Sequence, residues 1–237
     1  SLVGSEMCIR DRQRITSQGG LVDMRIRFDE QLKQLNKEMI NMGTMIEKSI
    51  GDAVKALMKQ DVELAQKVMA GDEEIDRTER KIEDLCLRLL LQQQPVARDL
   101  RNISAALKMV TDMERIGDHA TDISELAIVL SEKTYVKKLD HIEEMARETM
   151  VMLIQSLEAY VEKDLDKAQK VIAHDDVIDD LFEEVKQELI ELIRNHADEG
   201  EQAVDLLMVT KYFERIGDHA TNIAEWVIFS ITGQIAG

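Results

Sequence analysis

Proline, aromatic residues and glycine are scarce in this chain of 237 residues. It contains one Pro, eleven Gly and only 3% Phe, Trp and Tyr, beside 44% hydrophobic and 32% charged residues. A β-sandwich needs many turns and strands rich in aromatic and β-branched residues, so this composition argues against one. It favours long amphipathic helices, which avoid proline and contain little glycine. We therefore predict an all-α protein, long enough for one large or two small domains.

An excess of positive charge is also absent. The 30 Lys and Arg residues are outnumbered by 47 Asp and Glu residues, which gives a formal charge of −17. A chain this acidic repels the phosphate backbone of nucleic acids and the anionic surface of membranes. Direct binding of nucleic acid is therefore not expected.

Paired cysteines and long apolar runs are missing as well. Cys8 and Cys86 are the only cysteines and lack the spacing of a metal site or a disulfide framework, so a reducing, cytoplasmic location is expected. The longest apolar runs, such as residues 126–130 and 226–229, are much shorter than the roughly 18 to 20 residues that span a bilayer. Any action at a membrane is therefore expected to depend on a partner.

The first 23 residues differ from the rest of the chain because they have no helical period. Strong amphipathic patterning begins almost at once after Met24. The string SLVGSEMCIRDR is typical of translated extraneous sequence, and a genuine flexible extension is the alternative. Residues 1–23 are therefore predicted to be an extraneous or disordered leader outside the fold.

The remainder of the chain contains an internal repeat. The segment DVELAQKVMAGDEEID at 61–76 matches DLDKAQKVIAHDDVID at 164–179 in 9 of 16 positions without a gap. The segment ERIGDHATDI at 114–123 recurs as ERIGDHATNI at 214–223, identical in 9 of 10 positions. The offset falls from 103 to 100 residues between the two matches, which indicates a shorter turn in the second unit.

Each unit is predicted to contain three helices, since weak breaks divide its amphipathic pattern twice. The breaks lie near Gln60 and Pro95 in the first unit, and near Lys163 and residues 197–200 in the second. Proline is tolerated in the first turn of a helix but not in its interior, so Pro95 separates two helices.

A boundary between the units is predicted at residues 131–138, where the apolar periodicity lapses. The first unit then covers residues 24–134 and the second covers residues 135–237. The sequence therefore predicts two tandem pseudo-symmetric three-helix bundles.

The third helix of the first unit has two different faces. An apolar stripe, predicted to face the core, recurs at about 100° per residue and consists of Met109, Met113, Ile116, Ala120, Ile123, Ala127 and Leu130. A second stripe begins apolar and then becomes acidic at Glu114, Asp118 and Glu125, with Asp122 beside it. Like charges four residues apart destabilise a helix by about 0.2–0.5 kcal/mol per pair. A cation is therefore expected to neutralise these acids.

The preceding helix supplies a matching pair of acids. Two carboxylates one turn apart project from the same helical face, so two such pairs on adjacent helices can surround a hard cation with oxygen ligands. Several carboxylates could also bridge more than one metal ion. The predicted metal ligands are Asp72, Asp76, Glu114 and Asp118 in the first unit and Asp175, Asp179, Glu214 and Asp218 in the second.

The alternative is that these acids simply lie on a solvent-exposed helix face. In a chain with 47 acids, that is the usual explanation for a single pair of acids one turn apart. Metal binding is favoured instead because acids recur at the same places in both units, within segments that are identical in 9 of 10 positions. Arg115 and Arg215 either orient the carboxylates or form ordinary surface ion pairs. Gly117 and Gly217 either permit close helix packing or leave room for the site.

Two further positions in the match bear on the ligand set. Asn222 replaces Asp122 in the second unit, which is expected to weaken that edge of its site. His119 and His219 point away from the acids by roughly 100° of helix rotation. This direction favours solvent or capping roles for both histidines over metal ligation.

The repeated segments also carry a family resemblance. ARDLR at 97–101, AALKMVTDMERIGDHATDI at 105–123 and ERIGDHATNI at 214–223 resemble the PhoU family of phosphate-transport regulators, although the second unit has no ARDLR equivalent. The resemblance extends over residues 24–231. It implies two three-helix bundles whose E/DxxxD motifs hold multinuclear iron or other metal clusters in some members. The eight acids named above match those motifs, so iron clusters are the expected cofactor, with Mg, Mn or Zn as alternatives.

The resemblance also implies a negative regulator rather than an enzyme. Such a regulator couples the ATPase subunit of a phosphate ABC transporter to a membrane-bound sensor histidine kinase, and it restrains phosphate-starvation genes when phosphate is plentiful. A homodimer that acts by protein contact is expected. Arg98 and Arg101 are candidates for such a contact, and a solvated helix face is the alternative.

Two other functions are considered beside this one. A carboxylate-bridged metalloenzyme of the four-helix type uses Glu-x-x-His motifs, but none of the five histidines has Glu or Asp three residues before it. The sequence also has no P-loop, no Gly-rich nucleotide turn and no evident nucleophile. The other alternative is a metal-free helical adaptor whose acids are solvated or meet a basic partner.

Overall fold

The computed structural model describes the backbone of residues 3–92 and 96–234, and the side chains of residues 25–91 and 96–234. Six α-helices and one short 3-10 helix, without a strand, make up these residues, so the all-α prediction is confirmed. The helices are α1 (Val3–Lys59), α2 (Val62–Gln92), α3 (Ala97–Leu130), α4 (Asp140–Glu162), α5 (Leu165–Asn195) and α6 (Gly200–Thr232), with the 3-10 turn at Ala197–Glu199.

The first break of each unit is the same turn built twice. Gln60 and Lys163 adopt left-handed backbone conformations, with φ of 54° and 57°, which ends the preceding helix. Asp61 and Asp164 then cap the following helix, because each side chain accepts a hydrogen bond from the N–H three residues later, at 3.0 and 2.9 Å. The predicted breaks near Gln60 and Lys163 are confirmed, and α2 and α5 have the same length of 31 residues.

Two three-helix bundles result, α1 to α3 and α4 to α6, and α3 packs along α6 between them. The apolar stripe predicted on α3 is buried throughout, and the equivalent residues of α6 are buried as well. Buried hydrophobic side chains from all six helices form one continuous cluster. The bundles are therefore two topological units that share one core.

The connection between the bundles, residues 131–139, is tied to both of them. The side-chain amide of Gln60 donates to the carbonyls of Leu130 and Lys133 at 2.7 and 2.6 Å. From the second bundle, buried Gln202 donates to the carbonyl of Thr134 at 3.2 Å. The predicted boundary between residues 134 and 135 lies inside this connection.

The start of the chain belongs to the first helix, although residues 1–23 have no helical period and were predicted to be an extraneous or disordered leader. Helix α1 begins at Val3, so residues 3–23 have helical backbone. Extending an existing helix is far easier than nucleating one, so a helix can continue without an amphipathic pattern. The leader as an extraneous segment stays a prediction, and Pro95 lies outside the described residues.

No helix in the described part of the chain is both long enough and apolar enough to cross a membrane.

Candidate metal centres

The predicted acids lie on the contacting faces of two helix pairs. Packing of α2 against α3 brings together the first cluster, which consists of Asp72, Asp76, Glu79, Glu114 and Asp118. Packing of α5 against α6 brings together the second cluster, which consists of Asp175, Asp179, Glu214 and Asp218. Both clusters form because each helix presents its acids at i,i+4 spacing toward the neighbouring helix.

Three carboxylates of the first cluster converge on one point. Asp72, Asp76 and Asp118 each offer an oxygen atom, and these oxygens lie within 4.8 Å of one another. All three side chains are partly buried. Charged oxygens this close repel one another strongly unless a proton or a cation lies between them.

The repulsion is visible in the proton affinities of the first cluster. Burial raises the pKa of Asp72, and the charges of Asp118 and Asp76 raise it further. Burial also raises the pKa of Glu114, and the charge of Asp118 adds to the effect. Bringing these acids together as anions is therefore unfavourable without a counter-charge.

Glu79 belongs to the first cluster although the sequence analysis did not select it. Burial, followed by the charges of Glu114 and Glu83, raises its pKa from 4.5 to about 7. Glu79 lies seven residues after Asp72, on the same helical face. That spacing could have identified Glu79 as a candidate ligand. The sequence analysis chose only acids that recur in both units, and the equivalent of Glu79 is Phe182.

The second cluster is looser than the first. Burial raises the pKa of Asp175 to about 6, and the charges of Asp218 and Asp179 contribute. Burial and the charge of Glu214 also raise the pKa of Asp218. Both Asp179 and Asp218 are exposed to solvent. Among the described residues, the convergence of three carboxylates within 4.8 Å occurs only in the first cluster.

Basic side chains contact the edges of both clusters. Arg115 lies 3.2 Å from Asp118 and 3.6 Å from Glu114, and its own side chain is largely exposed. In the second cluster the ammonium of Lys211 contacts the carboxylate of Glu214. For Arg115 the geometry agrees with both roles predicted for it, a surface ion pair and an orienting contact.

Gly117 and Gly217 allow the helices to approach at the clusters. A Cβ atom at Gly117 would lie 3.2 Å from a methyl carbon of Ile75, and one at Gly217 would lie 3.3 Å from Oδ1 of Asp175. Both distances are shorter than an ordinary carbon contact. The first glycine thus permits close packing, and the second leaves room for a carboxylate.

The predicted solvent role of the histidines is wrong for His119, because this side chain is buried between the bundles. His119 is 8% exposed, and its ring centroid lies 5.6 Å from that of His219 across the contact of α3 with α6. Nδ1 of His119 lies 3.1 Å from Asp122, and Nδ1 of His219 lies 2.9 Å from Asp112. Helical rotation directed both rings away from the acids of the two clusters, but it could not reveal a second bundle on that side.

Glu125 also differs from its predicted place on the acid stripe. The side chain is exposed, and its charge acts on Tyr212 of α6 rather than on the acids of α2. Eleven residues make almost three whole helical turns, so Glu125 keeps the direction of Glu114 but lies about 16 Å further along α3. It is therefore not a member of the first cluster.

The donor chemistry of both clusters fits a hard metal ion. Every ligand candidate is a carboxylate, the type of ligand that Mg²⁺, Mn²⁺ and iron ions accept, and no thiol or imidazole belongs to either set. The residues that would hold such ions are the eight predicted acids together with Glu79. Fold and clusters together define a class of protein: a duplicated helical bundle with a carboxylate cluster in each half.

Comparison with known proteins identifies the family. A family profile described as the PhoU domain matches this chain twice, at residues 39–127 and 142–227. The two matches correspond to the two bundles, and they cover well over half of the chain. The chain therefore belongs to the PhoU family, as its sequence resemblance indicated.

Individual relatives agree with this assignment. A protein of Clostridium acetobutylicum named phosphate-specific transport system accessory protein PhoU homolog is 40% identical over 87% of this chain and 95% of its own length. A protein of Thermotoga maritima named phosphate-specific transport system accessory protein PhoU homolog 1 is 32% identical over 88% of this chain and 90% of its own length.

Solved structures show the same fold. The crystal structure of PhoU from Pseudomonas aeruginosa superposes with a TM-score of 0.84 at 33% identity, covering 87% of this chain and all of the other. The structure of the phosphate transport system regulatory protein PhoU from Streptococcus pneumoniae superposes with a TM-score of 0.83 at 26% identity, covering 89% of this chain and 99% of the other.

Proposed function

We propose that this chain is a regulator of phosphate uptake whose two bundles are held in shape by metal ions at the carboxylate clusters. The observation that carries the metal part is the convergence of Asp72, Asp76 and Asp118 within 4.8 Å. The regulatory part rests on membership of the PhoU family and on the names of relatives as accessory proteins of phosphate-specific transport.

The metal would act as a brace between helices. A bound cation supplies positive charge that offsets the repulsion between the acids of α2 and those of α3, and the same holds for α5 and α6. Because the free energy of metal binding adds to that of folding, a loaded cluster stabilises the helix pair and the surface it presents. Iron is the proposed metal, with Mg, Mn or Zn as alternatives.

Regulation would proceed by protein contact. The proposed partners are the ATPase subunit of a phosphate ABC transporter and a sensor histidine kinase, which the chain would join at the cytoplasmic side of the membrane as a homodimer. Names of relatives that include the phosphate-specific transport system support the first partner. No catalytic activity is proposed, in line with the word accessory in those names.

Elemental analysis and thermal unfolding test the metal brace. Purified wild-type protein is expected to retain metal and to lose thermal stability on chelation. The Asp118→Ala/Asp218→Ala variant is expected to retain less metal and to lose correspondingly less thermal stability on chelation. Glu125→Ala/Glu225→Ala is the matched control, because it removes two repeat-equivalent acids that lie about two helical turns beyond Asp118 and Asp218 on the same helices.

Binding to the purified ATPase subunit tests the regulatory part. The dissociation constant is measured with the loaded protein, the chelated protein and the variant without Asp118 and Asp218. Loss of binding on chelation and in the variant, with retention in the control, is the expected result. Equally tight binding by the loaded protein, the chelated protein, the variant and the control would show that binding of the ATPase subunit does not depend on metal.

A metal-free adaptor is the second candidate, and one observation favours it. Arg115 already contacts Asp118 and Glu114, so part of the repulsion in the first cluster is offset without metal. Wild-type protein that contains no metal and unfolds identically with and without chelator would favour this adaptor.

A further inference from the structure

The two clusters are not copies of each other at their edges. Three positions of the first cluster's surroundings offer a carboxylate or a hydroxyl group, namely Glu79, Thr111 and Asp122, and their repeat equivalents are Phe182, Lys211 and Asn222. Glu79 and Phe182 lie on α2 and α5, which have equal lengths, and Thr111 and Asp122 of α3 align without a gap with Lys211 and Asn222 of α6. At these three positions the second unit therefore has two carboxylates fewer and one ammonium group more than the first.

Lys211 is positioned to neutralise the second cluster. Its ammonium contacts Glu214, whose side chain is only 17% exposed. The lysine side chain also lies over the ring of Phe182, with Nζ 5.4 Å from the ring centroid. The ring that stands in place of Glu79 thus supports the lysine that stands in place of Thr111.

Other charged side chains near the clusters do not make the two clusters equivalent. Arg80 contacts Asp76 of the first cluster at 3.4 Å, and its repeat equivalent is Glu183. Arg80 is largely exposed, however, and Glu183 is paired with Lys186 instead of turning its charge to the second cluster. Arg115 also contacts Asp118 and Glu114 of the first cluster, but its side chain is 58% exposed and that of Lys211 is 40% exposed, so solvent screens the charge of Arg115 more strongly.

We propose that Lys211 is an internal counter-cation that takes the place of a metal ion at the second cluster, so that the two clusters are unequal cation sites. The first cluster binds hard cations more tightly and in larger number, and the second has lower affinity because a metal ion must displace the ammonium from Glu214. This inference rests on the proposed function, since it assumes that the clusters bind metal.

Titration with Mn²⁺ tests the inequality in variants that keep one cluster each. Asp218→Ala leaves the first cluster intact, and Asp118→Ala leaves the second intact. The metal-free full-length variants are titrated by calorimetry, and bound Mn²⁺ is counted by electron paramagnetic resonance. The first cluster is expected to bind Mn²⁺ at least about tenfold more tightly than the second. This factor is the effect of one fixed positive charge, that of Lys211, at a partly exposed site.

Exchanging the equivalent residues tests Lys211 itself. In the Asp118→Ala background, Lys211→Thr is expected to raise the Mn²⁺ affinity of the second cluster about tenfold. In the Asp218→Ala background, Thr111→Lys is expected to lower the affinity of the first cluster by a similar factor. Both positions lie at least partly at the surface, so these exchanges leave the core intact. Thermal unfolding of the metal-free variants checks this.

Lys186→Thr is the matched control in the Asp118→Ala background. Lys186 also lies over Phe182, with Nζ 5.9 Å from the ring centroid, but it pairs with Glu183. Its removal should leave the Mn²⁺ affinity of the second cluster unchanged. An equal gain from Lys186→Thr and Lys211→Thr would mean that general charge, not the contact with Glu214, sets the affinity, and would overturn the proposal.

The remaining outcomes separate this inference from the proposed function. Equal affinities of the two clusters, or no effect of the exchanges at residues 111 and 211, would overturn the inference and leave metal binding in place. Absence of Mn²⁺ binding by the wild type would overturn both.

Discussion

The two halves of this molecule share a backbone plan but differ in what they carry on it. Helices α2 and α5 have equal lengths and begin after the same left-handed turn and aspartate cap. Their acids nevertheless lie in different surroundings, since Glu79 extends the first cluster and Phe182 replaces it in the second. The duplication has preserved the residues that set helix register, and the positions around the clusters have diverged.

The core offers the largest expected difference between the halves. Phe213 and Met113 are repeat equivalents, and both are completely buried. Truncation to alanine should cost about 3–5 kcal/mol of unfolding free energy at Phe213 and less at flexible Met113, whose neighbours can fill the smaller gap more easily. Chemical denaturation of the metal-free variants measures both losses. An equal or larger loss in Met113→Ala would contradict this ranking.

The pH dependence of the metal-free protein should also differ between the halves. Folding raises the pKa of Glu79 from 4.5 to about 7, so the stability it contributes is present below pH 4.5 and is lost as pH rises through 7. Folding raises the pKa of Asp175 from 3.8 to about 6, so its loss occurs in a lower window.

Thermal unfolding from pH 4 to pH 8 in chelator should therefore separate two variants. Glu79→Gln should flatten the decline near pH 7, and Asp175→Asn should flatten it nearer pH 6. Identical profiles for both variants and the wild type would show that neither acid has a displaced pKa.

The contact between the bundles is asymmetric in a smaller way. Asp112 accepts a hydrogen bond from Asn222 at 3.2 Å and lies 2.9 Å from His219, but its equivalent, Tyr212, contacts His119 through its ring. Asp112→Ala should lower the unfolding free energy by about 1–2 kcal/mol, and Tyr212→Phe should change it little. A larger loss in Tyr212→Phe would indicate that the hydroxyl group, not the ring, makes the contact.

The smallest expected effect is at the helix caps, and it should be nearly the same in the two halves. Asp61→Ala and Asp164→Ala should each lower the unfolding free energy by about 1 kcal/mol, because both side chains cap a helix with the same geometry. Denaturation of the two single variants measures this. Clearly unequal losses would show that the duplicated turns differ in ways their hydrogen bonds do not reveal.

Much of the fold was predictable because it depends on local patterns. The breaks near Gln60 and Lys163, the buried stripe on α3 and the two bundles were all predicted from periodicity and repetition. Helical periodicity reports which face of a helix is buried, and repetition reports which features belong to the unit. The metal-ligand set stays a prediction, although the structure brings its acids together in each half.

Other features were not predictable from the same patterns. Glu79 was missed because it has no acidic equivalent in the second unit, and Glu125 was included because a run of acids looked continuous. His119 was assigned to solvent because a single helix shows only the direction of a side chain. In each case the deciding information was the identity of the neighbouring helix.

The sequence by itself determined the helices, their turns, the duplication and the family, because all of these depend on residues close together in the chain or on direct matching. Only the tertiary structure decided which acids converge, that the two bundles share one core, and that Lys211 contacts Glu214 at one cluster alone. These features arise when helices pack side by side, and the distance between two side chains on different helices depends on how the helices pack.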